Sequence, residues 1–440
     1  MHALLHRLGL HTPQLRAWAL YDWGNSAFIT IVITAVFPIY FQDVAASGLP
    51  DNVATARFAA ASSVALIFVA VLSPLFGALA DATAIRKRML AICLALGVLS
   101  TAGLFLVKEG DWVLGLVLFG LGNVGVLLSL VFYDSLLVHI AEPDEIDRAS
   151  TAGYALGYVG GGLALILCLA MILQPEAFGF AGTAEATRAT FLVTAVWWLL
   201  FTIPLFRRVP EPPALLSEDE RREARAGRSV ALAFGRLRAT FAELRTYRQA
   251  FLLLLAVLIY NDGITTTYRM ATIYGREIGL AQNSLIIAIV MVQFVAIPFA
   301  FLFGAMAGWI GTKNSIFVGL AIFIGIAIMA YGVETEREFF VMAFLVAMVQ
   351  GGVQALGRSL FASMIPKQKA TEFFGFFGVA ERFAAVLGPG VFAFAATATG
   401  STRTAILSVL VFFVVGGLLL TRVDVEGGRE TARRLSAEGA

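Results

Sequence analysis

Twelve apolar stretches dominate this chain, and each is about as long as the roughly 20 residues that a helix needs to cross a membrane. They lie near 15–41, 57–80, 89–107, 112–139, 150–173, 190–207, 249–272, 283–307, 314–333, 338–361, 373–397 and 402–421. Inside a bilayer every backbone polar group must find a partner within the protein, so such stretches fold as helices. The pattern predicts an all-α membrane protein with 12 transmembrane helices.

The composition agrees with a chain that lies in lipid. Hydrophobic residues make up 59% of the 440 residues and charged residues only 14%, and the mean hydropathy is +0.83. Soluble proteins carry about 25% charged residues, so a soluble globular enzyme and a disordered chain are excluded. The net charge of +2 provides no basic surface for nucleic acid. We expect the lipid bilayer to surround the protein.

No motif indicates a cofactor, a metal ion or an enzymatic reaction. Cys93 and Cys168, the two cysteines, lie in apolar stretches, and His2, His6 and His11 lie in the N-terminal segment. They have neither metal-ligand spacing nor the spacing of a nucleophile and its base. The chain also lacks the glycine-rich loop and lysine of an ATP-binding P-loop. We therefore expect no cofactor and no enzyme activity.

Lysines and arginines concentrate in every second loop. One set of loops contains the trio 86–88, ten arginines between 207 and 248, and four arginines after 421, whereas the other set contains only scattered single charges. Basic loops stay on the cytoplasmic side of a membrane. We therefore expect both termini to be cytoplasmic, with no cleaved signal peptide. The absence of long outer loops favours a prokaryotic inner membrane.

The spans divide into two halves around a basic linker. We expect a six-helix bundle over 1–208, a cytoplasmic linker with an amphipathic helix over 209–248, and a second six-helix bundle with a short cytoplasmic tail over 249–440. The halves also look like repeats, because 132–136 resembles 356–360 and a polar break is expected at 21–25 and at 260–263. Duplicated halves with interrupted helices are typical of secondary transporters.

Six plus six spans, a basic central loop and internal termini resemble the major facilitator superfamily, whose two halves are related by a pseudo-two-fold axis. The segment Gly77–Asp81, followed by the basic trio that begins at Arg86, resembles the loop signature of that superfamily. Asp81 would cap a helix end and pair with a cation on a neighbouring span. The corresponding loop around Gly304 lacks the acid, so the second gate is expected to be weaker or built differently.

A closer resemblance rests on four segments. They are 18–27 continuing to 37–41, 148–161, 260–263 and 354–359. These segments resemble the vacuolar amino-acid effluxer-like family of major facilitators, and the resemblance covers nearly the whole chain. What the resemblance implies is the efflux of neutral amino acids by a protein that works as a monomer.

Polar side chains inside the spans are the candidate site residues, because a charge at the centre of a bilayer is costly and usually faces a cavity or a partner. In a facilitator fold the first, fourth, seventh and tenth spans line the central cavity. We expect substrate contacts from the following residues: Asp22, Asn25, Tyr133, Asp262, Gln350, Gln354 and Arg358. We expect coupling or gating roles for a second set: Asp81, Arg86, Asp134, Glu381 and Arg382.

Two interpretations of these charges stay open at this point. Arg358 could bind a substrate carboxylate while Asp22 or Asp262 binds an ammonium group, or Asp134 and Arg358 could simply pair across the halves and close the inner gate. Glu381 could likewise be neutralised by an arginine. A buried carboxylate could also carry a coupling proton.

These observations predict a secondary active transporter that works by alternating access and exports a small zwitterionic solute, with protons as the candidate coupling ion. The alternative cargo is an amphipathic or lipid-like compound or a drug, since 12% of the residues are aromatic. A non-transporting membrane receptor is the alternative from another class of protein.

Overall fold

The computed structural model describes residues 2–213, 235, 238, 246–277, 279–400 and 402–438. The predicted amphipathic helix of the linker lies outside these residues. Across the described part of the chain the secondary structure is helical, with no β-strand.

Twelve helices correspond to the twelve predicted stretches. Their bounds are α1 Pro13–Ala45, α2 Asp51–Thr83, α3 Arg86–Leu106, α4 Trp112–Ile140, α5 Ile146–Leu173, α6 Thr183–Arg208, α7 Arg248–Glu277, α8 Gln282–Ile310, α9 Thr312–Ala330, α10 Glu336–Ser363, α11 Ala370–Thr399 and α12 Thr404–Thr421. We call α1–α6 the N-half and α7–α12 the C-half.

Eleven of these helices are long and apolar enough to cross a membrane. The remaining one, α11, is 30 residues long, and Gly390–Thr399 is its described apolar segment. Glu372 and Glu381 lie in its first half. The prediction of an all-α protein with twelve spans is confirmed.

The polar break that we expected at 21–25 in α1 is wrong. The helix is regular over Pro13–Ala27 and widens to π-helical geometry only over Phe28–Ala35. Asn25 does not interrupt the helix, because its side-chain amide donates to the carbonyl of Tyr21. The widening lies directly before Pro38, which has no N–H and whose ring crowds the preceding turn.

The break that we expected at Gly263 in α7 is also wrong, because α7 is one continuous helix over Arg248–Glu277. Gly263 has a packing role instead. A Cβ atom at this position would lie 3.0 Å from the Cβ of Phe412 and 2.8 Å from Cε1 of Phe413. The glycine therefore permits close contact between α7 and α12.

Small residues on α5 bring it close to α1. A Cβ atom on Gly160 would lie 2.6 Å from Cγ of Trp23, and one on Gly161 would lie 2.9 Å from the hydroxyl of Thr30. Such small-residue stripes let helices approach closely in membranes. The glycines of α5 therefore serve close packing against α1.

Both terminal segments pack on one side of the helix bundle. His11 lies 3.4 Å from Glu145, which directly precedes α5. A C-terminal helix, α13 (Val425–Glu438), accepts a 2.8 Å hydrogen bond at the Ser436 carbonyl from Gln368, which directly precedes α11. We call this side, which holds the loops before α3, α5, α9 and α11, the termini face.

Candidate functional site

Three charged side chains from both halves meet between the helices, and we call them the charged cluster. They are Asp22 on α1, Asp134 on α4 and Arg358 on α10, and all three are more than nine-tenths buried. Arg358 Nη1 lies 2.9 Å from Asp134 Oδ1 and 3.6 Å from Asp22 Oδ2. The structure thus brings together three of the residues that the sequence singled out as candidates for substrate binding or gating.

Ser150 on α5 fixes the orientation of the Arg358 side chain. Arg358 Nε donates to Ser150 Oγ at 2.9 Å, and Nη2 donates to the Ser150 carbonyl at 2.9 Å. Ser150 Oγ donates in turn to the carbonyl of Ala355, one turn before Arg358. With Asp134 as the third acceptor, the planar guanidinium spans from α10 to both α4 and α5 of the other half.

Aromatic rings surround the charged cluster. The guanidinium carbon of Arg358 lies 5.0 Å from the Trp18 ring, 5.8 Å from the Tyr133 ring and 4.7 Å from the Tyr154 ring. Trp18 and Tyr133 stack at 4.5 Å, and the Trp18 indole donates to the Tyr133 carbonyl. Cations are attracted to such ring faces, most strongly where water is excluded.

Asp22 accepts hydrogen bonds from two side chains of its own half. Its Oδ2 accepts from the Tyr133 hydroxyl at 2.8 Å, and its Oδ1 accepts from the Asn25 amide at 3.3 Å. Its separation from Arg358 is longer than a hydrogen bond. A Cβ atom on Gly153 would lie 2.8 Å from Asp22 Oδ2, so this glycine keeps space beside the carboxylate.

The charged cluster offers groups of both signs among the described side chains. Two carboxylates, Asp22 and Asp134, lie beside one guanidinium, Arg358. Buried charged groups of this kind are costly unless they are paired. The arrangement is therefore suited to binding a zwitterion, which has an ammonium group for a carboxylate and a carboxylate for the guanidinium.

A second group of polar side chains lies at the edge of this region. Glu381 on α11 is near enough to Tyr154 and to Tyr260 to interact electrostatically with both. The hydroxyl of Tyr260 is fully buried and makes no hydrogen bond within the described residues. It reaches Gly357, which directly precedes Arg358. The side chain of Arg382 lies outside the described part of the chain.

The other predicted substrate residues lie away from the charged cluster. Asp262 on α7 is completely buried, and its Oδ1 accepts from the backbone N–H of Gly388 on α11 at 2.8 Å. Gln350 lies close to Tyr158 of α5. Gln354 is half-buried on α10. Asp262 therefore joins two helices of the C-half, whereas Gln350 lies between the halves, nearer the face opposite the termini face.

Asp81 and Arg86 lie at the termini face and connect the halves. Arg86 Nη2 lies 2.8 Å from Asp81 Oδ1, and both side chains are almost fully buried. Asp81 also accepts from the backbone N–H groups of Thr371 at 3.3 Å and Glu372 at 2.9 Å. The carboxylate of the N-half therefore caps the first turn of α11, where the helix dipole favours negative charge.

Sequence reasoning missed several residues of this region. Trp18 and Ser150 were noted only within the segments of the family resemblance, and Asp147 and Thr371 were not singled out. Serine and threonine are common in membrane helices, and only the partner across the interface distinguishes a bonded hydroxyl from an ordinary one. Across the described residues, no three His, Cys, Asp or Glu side chains are arranged to hold a metal ion.

The fold and the charged cluster define a class of protein, and solved structures identify the fold. The chain matches the proton:xylose symporter XylE with a TM-score of 0.68 and 14% identity over 100% of both chains. It matches FucP in the outward conformation with a TM-score of 0.68 and 13% identity, covering 95% of this chain and 99% of that one. The protein has the fold of the major facilitator superfamily.

Sequence comparison identifies the family. The model of the vacuole effluxer Atg22-like family matches residues 11–433, and the chain belongs to this family. An uncharacterized MFS-type transporter of Bacillus subtilis, YxiO, is 35% identical over 425 residues, covering 96% of this chain and 97% of the relative. The protein is therefore an integral membrane transporter and not an enzyme.

Fungal relatives are longer than this chain. Autophagy-related protein 22 of Yarrowia lipolytica is 27% identical over 314 residues, covering 66% of this chain and 52% of the relative. The matching protein of Saccharomyces cerevisiae S288c is 24% identical over 374 residues, covering 77% and 69%. The chain thus spans about half to two-thirds of these fungal proteins.

Proposed function

We propose that this protein is a secondary active transporter that exports a small zwitterionic solute, such as a neutral amino acid, in exchange for protons. The observation that carries the proposal is the charged cluster between the halves, in which Asp22 and Asp134 both lie beside the guanidinium of Arg358. A zwitterion has one group for each type of partner, and efflux is the activity that the family description names.

Asp22 is the group that would bind the ammonium end of the solute. It lies 3.6 Å from Arg358, and the Trp18 and Tyr133 rings beside it provide faces for a cation. The carboxylate end would replace Asp134 at the guanidinium. Because Asp134 and Arg358 lie on different halves, this exchange would loosen one contact between the halves and couple binding to movement.

Proton exchange is proposed at the same carboxylate, because a buried carboxylate can carry a coupling proton. When no solute is bound, a proton would occupy Asp22. An incoming ammonium group would compete with that proton for the same carboxylate. Export of a zwitterion would then be coupled to proton entry. We further propose that the termini face is cytoplasmic, as the distribution of lysine and arginine predicts, and that the protein acts as a monomer.

A thermal-shift screen of the purified protein tests the proposed cargo. A ligand that binds the folded state raises the apparent melting temperature, and we expect shifts with neutral amino acids. The Asp22→Asn variant keeps the 2.9 Å Arg358–Asp134 pair, so it should fold but lose these shifts. Shifts caused only by lysolipids or cationic drugs would overturn the zwitterion proposal in favour of amphipathic export. Arg337→Gln, a change at an exposed position, is the matched control.

A further inference from the structure

The termini face contains a second set of contacts between the halves, which mirrors the set around Arg86. In the first set Arg86 Nε donates to Thr371 Oγ1 at 2.9 Å, and Thr371 Oγ1 donates to Ser135 Oγ at 3.1 Å. We call Arg86, Thr371 and Ser135, together with Asp81, the first latch. It combines side chains of α3 and α4 in the N-half with the first turn of α11 in the C-half.

The second set uses the corresponding positions of the opposite halves. Thr312 Oγ1 donates to Asp147 Oδ2 at 2.7 Å, and Ser359 Oγ donates to Asp147 Oδ1 at 2.5 Å. We call these three residues the second latch. It combines side chains of α9 and α10 in the C-half with the first turn of α5 in the N-half.

The helix starts establish the correspondence of positions. Arg86 and Thr312 are the first residues of α3 and α9, and Thr371 and Asp147 are the second residues of α11 and α5. The lysines that follow supply an independent check. Lys87 Nζ donates to the Val209 carbonyl at the end of α6. Lys313 Nζ donates in the same way to the Thr421 carbonyl at the end of α12.

The two latches differ in where the carboxylate lies relative to the loop residue. In the first latch Asp81 lies in the same half as Arg86, beside the loop, and accepts from α11. The loop before α9 has no such acid, and Thr312 stands where the first half has Arg86. The carboxylate is instead on the opposite helix, at Asp147. Both hydrogen bonds of the second latch join the halves and both end on a charged acceptor, which makes them stronger than neutral ones.

The second latch is connected to the charged cluster by two adjacent contacts. Arg358 and Ser359 are neighbours on α10, and Asp147 and Ser150 lie one turn apart on α5. Arg358 bonds Ser150 and Ser359 bonds Asp147. A shift of Arg358 toward a ligand would therefore move the residue that carries a second-latch hydroxyl.

We propose that Asp147, Thr312 and Ser359 act as a second gate latch, which links the state of the charged cluster to closure of the termini face. Asp147 is a positioning residue in this account and does not contact the cargo. The inference rests on the proposed alternating-access function, but its test needs neither cargo nor transport.

Distances between spin labels measure the opening of each face directly. One label pair, on cysteines introduced at Arg88 and Lys367, reports on the termini face. A second pair, at Lys108 and Arg337, reports on the opposite face. All four positions are exposed, with one of each pair in each half. The native Cys93 and Cys168 are buried and are replaced by alanine in the background protein.

Asp147→Ala and Thr312→Val should lengthen the first distance and shorten the second, because the halves rock. The ratio of open to closed molecules should rise about tenfold for Asp147→Ala, as expected for the loss of hydrogen bonds to a charged group. Ser315→Ala is the matched control, because Ser315 Oγ bonds only within α9 and its preceding loop. A merely structural role would broaden the first distance without shortening the second, and this result would overturn the proposal.

A reciprocal exchange keeps the test decisive if Asp147→Ala does not fold. The double variant Asp147→Thr with Thr312→Asp returns the acid to the loop side, as in the first latch, and should restore the distances of the parent protein. If the single variants Thr312→Val and Thr312→Asp both kept the spin-label distances of the parent protein, the latch would be contradicted. Loss of amino-acid binding in the thermal-shift screen would leave these distances unaffected, so the two proposals fail separately.

Discussion

At the scale of single residues, Arg358 supports the interface between the halves. Its donors bind Asp134 and Ser150, and its guanidinium carbon lies 5.0 Å from the Trp18 ring and 4.7 Å from the Tyr154 ring. Few side chains offer several donors in a fixed plane together with a cation that stacks on rings. The residue therefore combines two tasks, since it holds three helices together and presents a positive charge between them.

Removing the Arg358 charge should destabilise the protein more than removing its partner. Arg358→Gln removes the guanidinium that lies beside both Asp22 and Asp134 and should cost about 3–5 kcal/mol, whereas Asp134→Asn leaves the contact between Asp22 and Arg358 in place and should cost less. The double variant should be more stable than the sum of the two single effects predicts. Thermal unfolding of the purified proteins measures all three. Simple additivity would contradict the pairing.

The Tyr133 hydroxyl should matter separately from its ring. Tyr133→Phe keeps the 4.5 Å stack with Trp18 but removes the 2.8 Å hydrogen bond to Asp22. A bond to a charged acceptor contributes about 1.5–3 kcal/mol, so the apparent melting temperature should fall. Tyr331→Phe, at a half-exposed position, should leave it unchanged. Equal effects of the two substitutions would show that the hydroxyl does not hold Asp22.

The sequence singled out the three members of the charged cluster, because each is a charged residue inside an apolar span. It did not reveal the hydrogen-bonding partners. Ser150 lies beside a glycine-rich stretch and Asp147 near the start of a helix, and neither position indicates a partner. Both bond residues about 200 positions away in the chain, and one sequence carries no signal for such contacts. Asp262 likewise has a partner that its own helix does not indicate, a backbone N–H of α11.

At the scale of helices, close packing decides where glycine occurs. We expected Gly263 to interrupt α7, but the rings of Phe412 and Phe413 pack against it instead. The neighbouring helix determines which of these roles a glycine has, and the sequence of one helix does not include that neighbour. The apolar length of each span, in contrast, is a local property, and all twelve spans were recognisable in the sequence.

A methyl group on α5 should separate two helices that now touch. Gly160→Ala places a Cβ atom 2.6 Å from Cγ of Trp23, and overpacking of this kind costs about 1–3 kcal/mol. Gly120→Ala on α4 has open space around the new Cβ and should be neutral or slightly stabilising, because alanine favours helix. Unfolding temperatures compare the two variants. A neutral Gly160→Ala would contradict the tight α1–α5 contact.

At the scale of the whole molecule, two latches and one charged cluster join the halves near the termini face. The latches occupy equivalent positions but use different chemistry, with a buried ion pair in the first and hydroxyl donors in the second. Repeated halves can therefore share a geometry after their individual residues have diverged. These contacts close the termini face. Binding at the charged cluster would bias the equilibrium between the two access states.

Proton exchange gives a directional expectation for the whole protein. If a proton and an ammonium group compete for Asp22, acidifying the receiving compartment should speed release of the cargo into it. Efflux from proteoliposomes with an imposed pH gradient measures this effect. The rate should rise when the trans side is acid, and Asp22→Asn should abolish the dependence. A gradient of either sign that leaves wild-type efflux unchanged would contradict proton coupling.

Counterflow tests the central claim most directly. Proteoliposomes loaded with unlabelled neutral amino acids are diluted into a trace of the same radiolabelled compounds. A carrier that alternates access accumulates the label transiently inside, whereas a receptor does not. We predict accumulation by the wild-type protein and by Arg337→Gln, and none by Asp22→Asn. Absence of accumulation with a folded wild-type protein, or equal accumulation by Asp22→Asn, would contradict the account.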